Sequence, residues 1–488
     1  MGSLISNLFL LFEGNVKMII AGYILIFAYV FFLILGVGNI VQKVSNVEMS
    51  RKIIHTGLFV LFIIIDIFLK NTIHQVIIPF LFIIINYLSY KFKIFKNMER
   101  EENNEPGTVY FSIAITIIML LSYIFPKMFY SSGIAIFCLT FGDGFAAIIG
   151  KNTKSKLIRG NKSLNGFISC FAFSTIAIIL LTHFYNLNLT IFMCIVIGLA
   201  VAIFELVGKG LDNFSVVAIS FILGFLFMNY NLNNLGESVL VAEILFIIVF
   251  FAKGLDYYGS LLAMIMAVSY MYFGGIFGIC MLLSEYFFIF GVSKFKKIVL
   301  KSNKKEKPRN FLQVLINGGI GTAFIILYGI FNKQSMLIIS LISLSGCLID
   351  SVSSDVGVLS KKDTSYDFIK RKRVPKGISG GISILGTISA LICAIIIAII
   401  VCIYLKLSIF YIFLIAGLIF LQTIIDSILG SLLQAKFKCT KCQEITEKTV
   451  HCDNKTEIIE GIHWVNNNMV NIMSSAITTL IAVAIFLV

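Results

Sequence analysis

The chain has 488 residues, of which 58% are hydrophobic and 13% charged, with 46 Phe and only 5 Pro; its mean hydropathy is +0.97. An ordinary soluble domain carries about a quarter charged residues, so a soluble enzyme is excluded, and so is disorder, which needs low hydrophobicity and high charge. The net charge of +14 comes without any basic–aromatic module, so it points to cytoplasmic loops and anionic headgroups and not to nucleic acid.

Apolar runs long enough to cross a bilayer lie near residues 17–40, 54–69, 72–90, 109–126, 130–150, 166–184, 188–208, 213–228, 238–252, 256–271, 273–292, 312–331, 336–350, 379–404, 407–433 and 469–488. They predict an all-α, polytopic integral membrane protein of about 16 transmembrane helices in two bundles, residues 1–235 and 236–488. The runs are continuous, not alternating, which excludes a β-barrel. The short apolar stretch before Glu13 reads as interfacial, not as a removable signal peptide. Basic clusters at Lys43–Lys52, Lys91–Arg100, Lys151–Lys162, Lys294–Arg309, Lys361–Lys376 and Lys436–Lys455 are separated by 2, 2, 6, 2 and 2 spans. Even intervals put every cluster on one side, together with Lys209 and Lys253. That side holds 34 of the 39 basic residues, against Lys17, Lys70, Lys127, Lys333 and Lys406 on the other. The positive-inside rule makes it cytoplasmic, with both termini outward, in a multi-pass protein of the cell membrane.

Polar residues interrupt the first bundle at these cytoplasmic ends. Arg51-Lys52-Ile53-Ile54-His55 puts Arg51 and His55 on one helix face; the two basic residues also suit snorkelling. Pro106-Gly107-Thr108 enters a span, where free N–H groups hold phosphate or Thr108 simply caps. Asp143, in Phe141-Gly142-Asp143-Gly144, is followed by Gly150 and by Gly160-Asn161-Lys162-Ser163-Leu164-Asn165-Gly166. A carboxylate so placed is costly to bury, and with a Lys/Gly loop it suits magnesium and nucleotide phosphates. No Walker A loop is present. Glu205 precedes Gly208-Lys209-Gly210-Leu211-Asp212-Asn213, whose last two residues offer oxygen ligands or a plain turn.

Together these residues resemble the phytol and dolichol kinase family over about 45–228. The resemblance rests on the RKxxH start, the GTVY segment, the GDxxAxxxG run, KSxxG and GxDN. It implies phosphorylation of a long isoprenoid alcohol, typically with CTP, and kinship to CDP-diacylglycerol synthases. The family commonly reads KSLEG, where this chain has Asn165 in place of the acid.

The second bundle has its own set. Arg309-Asn310 leads to Asn317-Gly318-Gly319; Asp350-Ser351-Val352-Ser353-Ser354-Asp355-Val356-Gly357 precedes a basic loop ending in Lys376-Gly377-Ile378-Ser379-Gly380-Gly381; Asp426, Asn467 and Asn471 follow. So many acids and amides at helix ends exceed what packing requires. The order resembles the phytyl-phosphate kinase family of membrane domains over about 245–485, which commonly has Glu where Asp355 stands. It implies a second phosphoryl transfer, onto an isoprenyl monophosphate. Asp143 precedes Gly150 by 7 residues and Asp350 precedes Gly357 by 7, a weak sign of a repeated unit.

Cys439, Cys442 and Cys452, with His451 adjacent, form a Cys-x2-Cys-x9-Cys loop. The ligand types suit a structural zinc ion; whether neighbours His451 and Cys452 both reach one tetrahedral ion is open, as are reduced, metal-free thiols.

The leading expectation is a bifunctional, CTP-dependent (or ATP-dependent) phosphotransferase acting on an isoprenoid alcohol and then its monophosphate. Asp143, Asp350, Asp355, Lys162 and Lys376 are the expected catalytic residues. Asp143, Asp212, Asp350, Asp355 and Asp426 would hold Mg2+. Nucleotide or phosphate contacts fall to Arg51, His55, Thr108, Gly150, Ser163, Asn213, Arg309, Asn317, Gly380, Asn467 and Asn471. A CDP-lipid-forming cytidylyltransferase uses the same motifs. A secondary transporter fits less well, because its polar groups would lie near mid-bilayer.

Overall fold

The structure, a computed structural model, describes residues 16–94, 106–208, 210–230, 232, 234–301, 308–360 and 364–487. The interfacial stretch expected before Glu13, the basic residues at 95–100, 302–307 and 361–362, and Lys209 lie outside the described residues. The chain divides into two compact units, Met1–Gly236 and Glu237–Val488.

The first unit holds α1 (Val16–Val44), α2 (Val47–Gly57), α3 (Val60–Phe68), α4 (His74–Phe92), α5 (Gly107–Ile124) and α6 (Pro126–Asn152). A small hairpin follows, β1 (Leu157–Arg159) and β2 (Lys162–Ser163), then α7 (Leu164–Tyr185), α8 (Ile191–Val207) and α9 (Asp212–Asn229). Helix α10 (Leu235–Ala252) starts at the boundary. The second unit continues with α11 (Tyr257–Val299), α12 (Phe311–Phe331) and α13 (Gln334–Gly357). Next come the hairpin β3 (Thr364–Asp367) and β4 (Lys372–Pro375), α14 (Ile384–Leu405) and α15 (Ile409–Leu432). A four-stranded lobe then precedes α16 (Asn467–Phe486); it comprises β5 (Lys436–Cys439), β6 (Ile445–Thr446), β7 (Val450–His451) and β8 (Asn454–Glu460), in the order β6-β5-β8-β7.

Thirteen helices among the described residues are long and apolar enough to cross a bilayer, which makes the protein an all-α integral membrane protein. The expected count of about 16 differs at three places. The run at 54–69 is divided between α2 and the nine-residue α3, only about 14 Å long at 1.5 Å per residue. The run at 188–208 becomes the shorter, 17-residue α8. The pair expected at 256–271 and 273–292 counts as one 43-residue run, Tyr257–Val299, yet it is broken at Gly275, where φ is 62° and ψ −159°, so two helical segments meet beside the expected division. Unbroken, α11 would be about 65 Å long, twice the hydrocarbon core, and glycine tolerates the break because it has no Cβ.

Helix α14 shows why these sequences pack as they do. Ile384, Ile388, Leu391, Ile395, Ile399 and Ile403 form an exposed stripe at helical spacing, while Ala390, Ala394 and Ala398 are fully buried. Lipid is as apolar as Ile, so hydrophobicity alone does not bring such helices together; small residues at every fourth position let backbones approach. Helices α6 and α13, which bear Asp143 and Asp350, are the exceptions, being the most enclosed of the thirteen spans. In the second unit α13 is the hub, packed on α11, α12, α14, α15 and α16.

Both units repeat one run of elements: a helix, an enclosed acid-bearing helix, a hairpin, and three further helices. The junctions agree in detail. Ser163 caps α7 by accepting from Gly166 N at 3.2 Å, and Ser383 caps α14 by accepting from Gly386 N at 3.1 Å. A Cβ on Gly150 would meet Gly166 Cα at 3.1 Å, and one on Gly386 would meet Gly357 Cα at 3.2 Å. These glycine pairs let the end of each acid-bearing helix touch the start of the helix after the hairpin.

Candidate functional site

In the first unit the chemistry collects where α2, α6, α8 and α9 meet. Asn46 caps α2 by accepting from Met49 N at 2.8 Å. One turn on, Arg51, Lys52 and His55 project toward α6. There the helix widens by one residue per turn over Cys138–Asp143, a bulge type frequent at functional sites. Lys52 Nζ lies 2.6 Å from Asp143 Oδ2, with both side chains almost fully enclosed. His55 Nε2 lies 3.0 Å from the Leu139 carbonyl and 3.4 Å from Asp143 Oδ2. A carbonyl only accepts, so Nε2 carries the proton and Nδ1 is the ring's acceptor.

The β1–β2 hairpin carries two cations to the C-terminal end of α8, where carbonyls are unpaired. Arg159 donates to the Leu206 carbonyl at 3.1 Å and to that of Val207. Lys162 donates to the Glu205 carbonyl and pairs with Glu205 Oε1 at 2.7 Å and Asp212 Oδ2 at 3.5 Å. Burial works against the Lys162 ammonium, but Glu205 and Asp212 outweigh it and raise its pKa. Outside this knot, Glu48 accepts from Arg51 at 2.7 Å and lies 3.2 Å from Lys151. Partial burial pushes the Glu48 carboxyl up, yet the two cations hold it down at about 2.

Carboxylate oxygens of Asp143, Glu205 and Asp212 all lie within 4.8 Å of one another. This hard-oxygen set fits a magnesium ion. Three carboxylates against Lys52 and Lys162 leave a formal charge of −1 there. A cavity beside them is lined by Arg51, Lys52, His55, Thr108, Asp143, Asp212 and Asn213. Thr108 Oγ1 is buried with no hydrogen-bond partner among the described residues, and Asn213 Nδ2 donates to the Gly107 carbonyl at 3.2 Å. Leu58, Asn86 and Phe111 line this polar cavity and also an apolar one that runs among Phe27, Val30, Phe31, Ile34, Leu61 and Phe62. Two expected phosphate contacts are committed elsewhere. The Ser163 hydroxyl donates to the Gly150 carbonyl at 3.1 Å while capping α7, and Gly150 serves the helix contact with Gly166.

In the second unit Asp350 lies on α13 and Asp426 on α15, two helices packed against each other. Asp426 Oδ2 accepts from Ser474 Oγ at 3.1 Å. It also accepts from the Asn471 amide at 3.1 Å, in the orientation that lets Asn471 donate to the Asn467 carbonyl at 3.0 Å. Asn471, held by the main-chain carbonyl of Asn467 at the start of α16, thus orients Asp426 of α15. Asp355 does not join this group. Five residues beyond Asp350 it lies on another helix face, bound by Lys296 Nζ and Ser293 Oγ, each at 2.5 Å. Lys376 is likewise turned away, donating to the Ser360 carbonyl at 2.6 Å. Gly380, at φ 83°, lies where a Cβ would meet Ser431 Cα at 2.6 Å, so it allows a close backbone approach to α15. Arg309 and Asn317 line a largely apolar cavity with Gln313, Glu285, Cys347 and Leu348, one turn or less from Asp350 along α13.

Lys52, Glu205, Asn86, Glu285 and Ser474 were not among the expected contacts. Lys52 ends the basic cluster just before an apolar run, and Glu205 carried a readable signal, an acid inside one. Glu285 carried the same signal within α11, where its carboxylate accepts from Ser345 Oγ at 2.6 Å. Asn86 and Ser474 are recognisable only from their neighbours.

Residues 240–479 match the model of a family described as Integral membrane protein DUF92. An uncharacterized membrane protein of Methanocaldococcus jannaschii is 31% identical over 166 residues, 32% of this chain and 66% of that protein. Protein PGR of Arabidopsis thaliana is 27% identical over 204 residues, 36% of this chain and 68% of PGR. The chain therefore spans just under two thirds of the first relative's length. No solved structure matches.

Proposed function

We propose that the chain is a bifunctional membrane lipid kinase. Its first unit phosphorylates an isoprenoid alcohol of the phytol or polyprenol type, using CTP or another nucleoside triphosphate. Its second unit phosphorylates the resulting monophosphate. The observation that carries this reading is the Asp143–Glu205–Asp212 cluster, threaded by Lys52 and Lys162 and opening on a polar cavity that shares its wall with an apolar one. An alcohol with a long hydrocarbon tail has this same division.

Phosphoryl transfer asks little covalent chemistry of a protein; positioning and charge neutralisation supply most of the rate. Mg2+ held by Asp143, Glu205 and Asp212 would neutralise charge on the transferred group. Lys52 and Lys162, which pair with these carboxylates, and Arg51, on the same cavity, are the cations at hand for the nucleotide phosphates. Thr108 Oγ1, buried without a partner among the described residues, is a ready donor to a phosphate oxygen. The alcohol oxygen forms the new P–O bond, the β–γ bridging bond breaks, the nucleoside diphosphate leaves, and the hydroxyl proton passes to His55 Nδ1.

In the second unit Asp350 and Asp426 are the acids left for magnesium, with Asn471 and Ser474 orienting Asp426. Arg309 and Asn317, on the apolar cavity, suit the phosphate of a lipid monophosphate. The reading places both sites at the cytoplasmic face of the cell membrane, where the basic loops and the nucleotide are.

The test is purified protein with labelled CTP or ATP, a panel of isoprenols and their monophosphates. Asp143→Ala should abolish phosphorylation of the alcohol and spare that of the monophosphate; Asp350→Ala should do the reverse. Loss of both steps in either folded variant would sink the two-site reading. Release of pyrophosphate in place of the nucleoside diphosphate would move the assignment to a cytidylyltransferase.

A further inference from the structure

Between α15 and α16 the second unit carries the β5–β8 lobe, which the phosphoryl-transfer chemistry does not need. Its strands are short: β6 and β7 have two residues each, far below the length at which strands hold themselves together in water. Its tip brings together Cys439 at the end of β5, Cys442 in the following turn, and His451 and Cys452 at the end of β7. One ligand atom from each of the four lies within 4.8 Å of all the others. His451 Nδ1 is 3.4 Å from Cys442 Sγ and 3.4 Å from Cys452 Sγ. Around a tetrahedral zinc ion with bonds of about 2.3 Å to sulfur and about 2.0 Å to nitrogen, neighbouring S and N ligands are separated by roughly 3.5 Å. The adjacent His451 and Cys452 therefore both reach one ion, because Cys452 and Asp453 turn through left-handed backbone at φ 53° and 62°. Gln443, directly after Cys442, does the same at φ 63°. Non-glycine residues adopt this backbone at a cost, and here it aims the side chains inward.

We infer that Cys439, Cys442, His451 and Cys452 form a closed, structural Cys3His zinc site that staples the lobe. Three thiolates and an imidazole are the soft donor set that selects zinc, and four protein ligands leave no open position for catalysis. The site acts at a distance. From the stapled sheet, Glu447 accepts from Ser379 N at 2.7 Å, next to Gly380 and its contact with α15. The lobe's base is tied by Ala435 N to the Val465 carbonyl and by Ile462 N to the Leu433 carbonyl, both at 2.9 Å. Val465 directly precedes Asn466, the cap of α16, the helix that bears Asn471 and Ser474. Zinc thus positions the acid-orienting end of α16 without touching a substrate.

The inference does not depend on the kinase reading, and its test needs no activity. The full chain, purified without chelators from zinc-supplemented cells, should carry one zinc per chain by elemental analysis. A Cys442→Ser/Cys452→Ser variant, altered only at exposed positions, should lose at least nine-tenths of it. Its lobe, residues 436–460, should become sensitive to protease while the helices stay protected. A second measurement uses no variant: the chelated wild-type chain, given Co2+, should show the visible bands of tetrahedral thiolate-bound cobalt. A zinc-free wild type with no cobalt bands, a metal content unchanged in the variant, or a disulfide among these cysteines in freshly isolated protein would each overturn the site.

Discussion

Removing Asp143 should do two separable things. Lys52 Nζ and Asp143 Oδ2 are 2.6 Å apart, and their side chains are only 7% and 11% exposed. Asp143→Ala strands a buried ammonium, a change that costs about 3–5 kcal/mol. His55 Nε2 also lies 3.4 Å from this carboxylate, so the substitution removes a second polar contact as well. Lys52→Met combined with Asp143→Ala removes both charges, and most of the lost stability should return, because an apolar pair of similar volume is often neutral or better. Activity should not return. Without the acid the metal set is broken, and loss of one element of transition-state charge stabilisation costs about 100-fold or more in rate. Thermal unfolding in detergent reads the stability cycle, and transfer of label from nucleotide to isoprenol reads the rate. Equal destabilisation of the single and double variants would show that the pair does not organise this core. A double variant that still phosphorylates the alcohol would make Asp143 a charge-balance residue and remove it from the chemistry.

Three further outcomes follow from specific contacts. Thr108→Val removes a buried hydroxyl that has no partner among the described residues; it should leave stability unchanged or raised by about 1 kcal/mol while raising the KM for nucleotide, and an unchanged KM would return Thr108 to packing. Asp355→Asn weakens the contacts to Lys296 and Ser293; it should cost about 1–3 kcal/mol of stability yet keep monophosphate phosphorylation within about threefold, whereas Asp350→Asn should not. Glu48 titrates at about 2 in the folded chain against 4.5 when free, so its contribution is present above pH 4.5 and is lost as the pH falls toward 2. The difference in unfolding temperature between wild type and Glu48→Gln should therefore be constant above pH 5 and shrink below it; a pH-independent difference would refute the ion-pair account.

The one-dimensional pattern was enough for everything set by solvent preference. Runs of Ile, Leu and Phe of membrane-spanning length can satisfy their backbone only as helices, so the all-α membrane class follows from composition and run length. Acids inside those runs are expensive in any register, which is why Asp143, Glu205, Asp212, Asp350 and Asp426 stand out along the chain. Three-dimensional packing decided which of them work together. Asp355 looks equivalent to Asp350 along the chain, but a five-residue offset turns it to another face, where Lys296 takes it. Lys52 reads as a snorkelling anchor, yet the widened turn of α6 brings Asp143 to it across 91 residues. Lys376 reads as a catalytic lysine and Ser163 as a phosphate contact, and local hydrogen bonds to Ser360, Gly150 and Gly166 consume them. Gly275 is legible in part: the division of the 256–292 run is expected beside it, whereas its positive φ appears only in the folded chain. Periodicity and burial cost are properties of single segments; pairing depends on which faces meet, and that is fixed only when all the helices have packed.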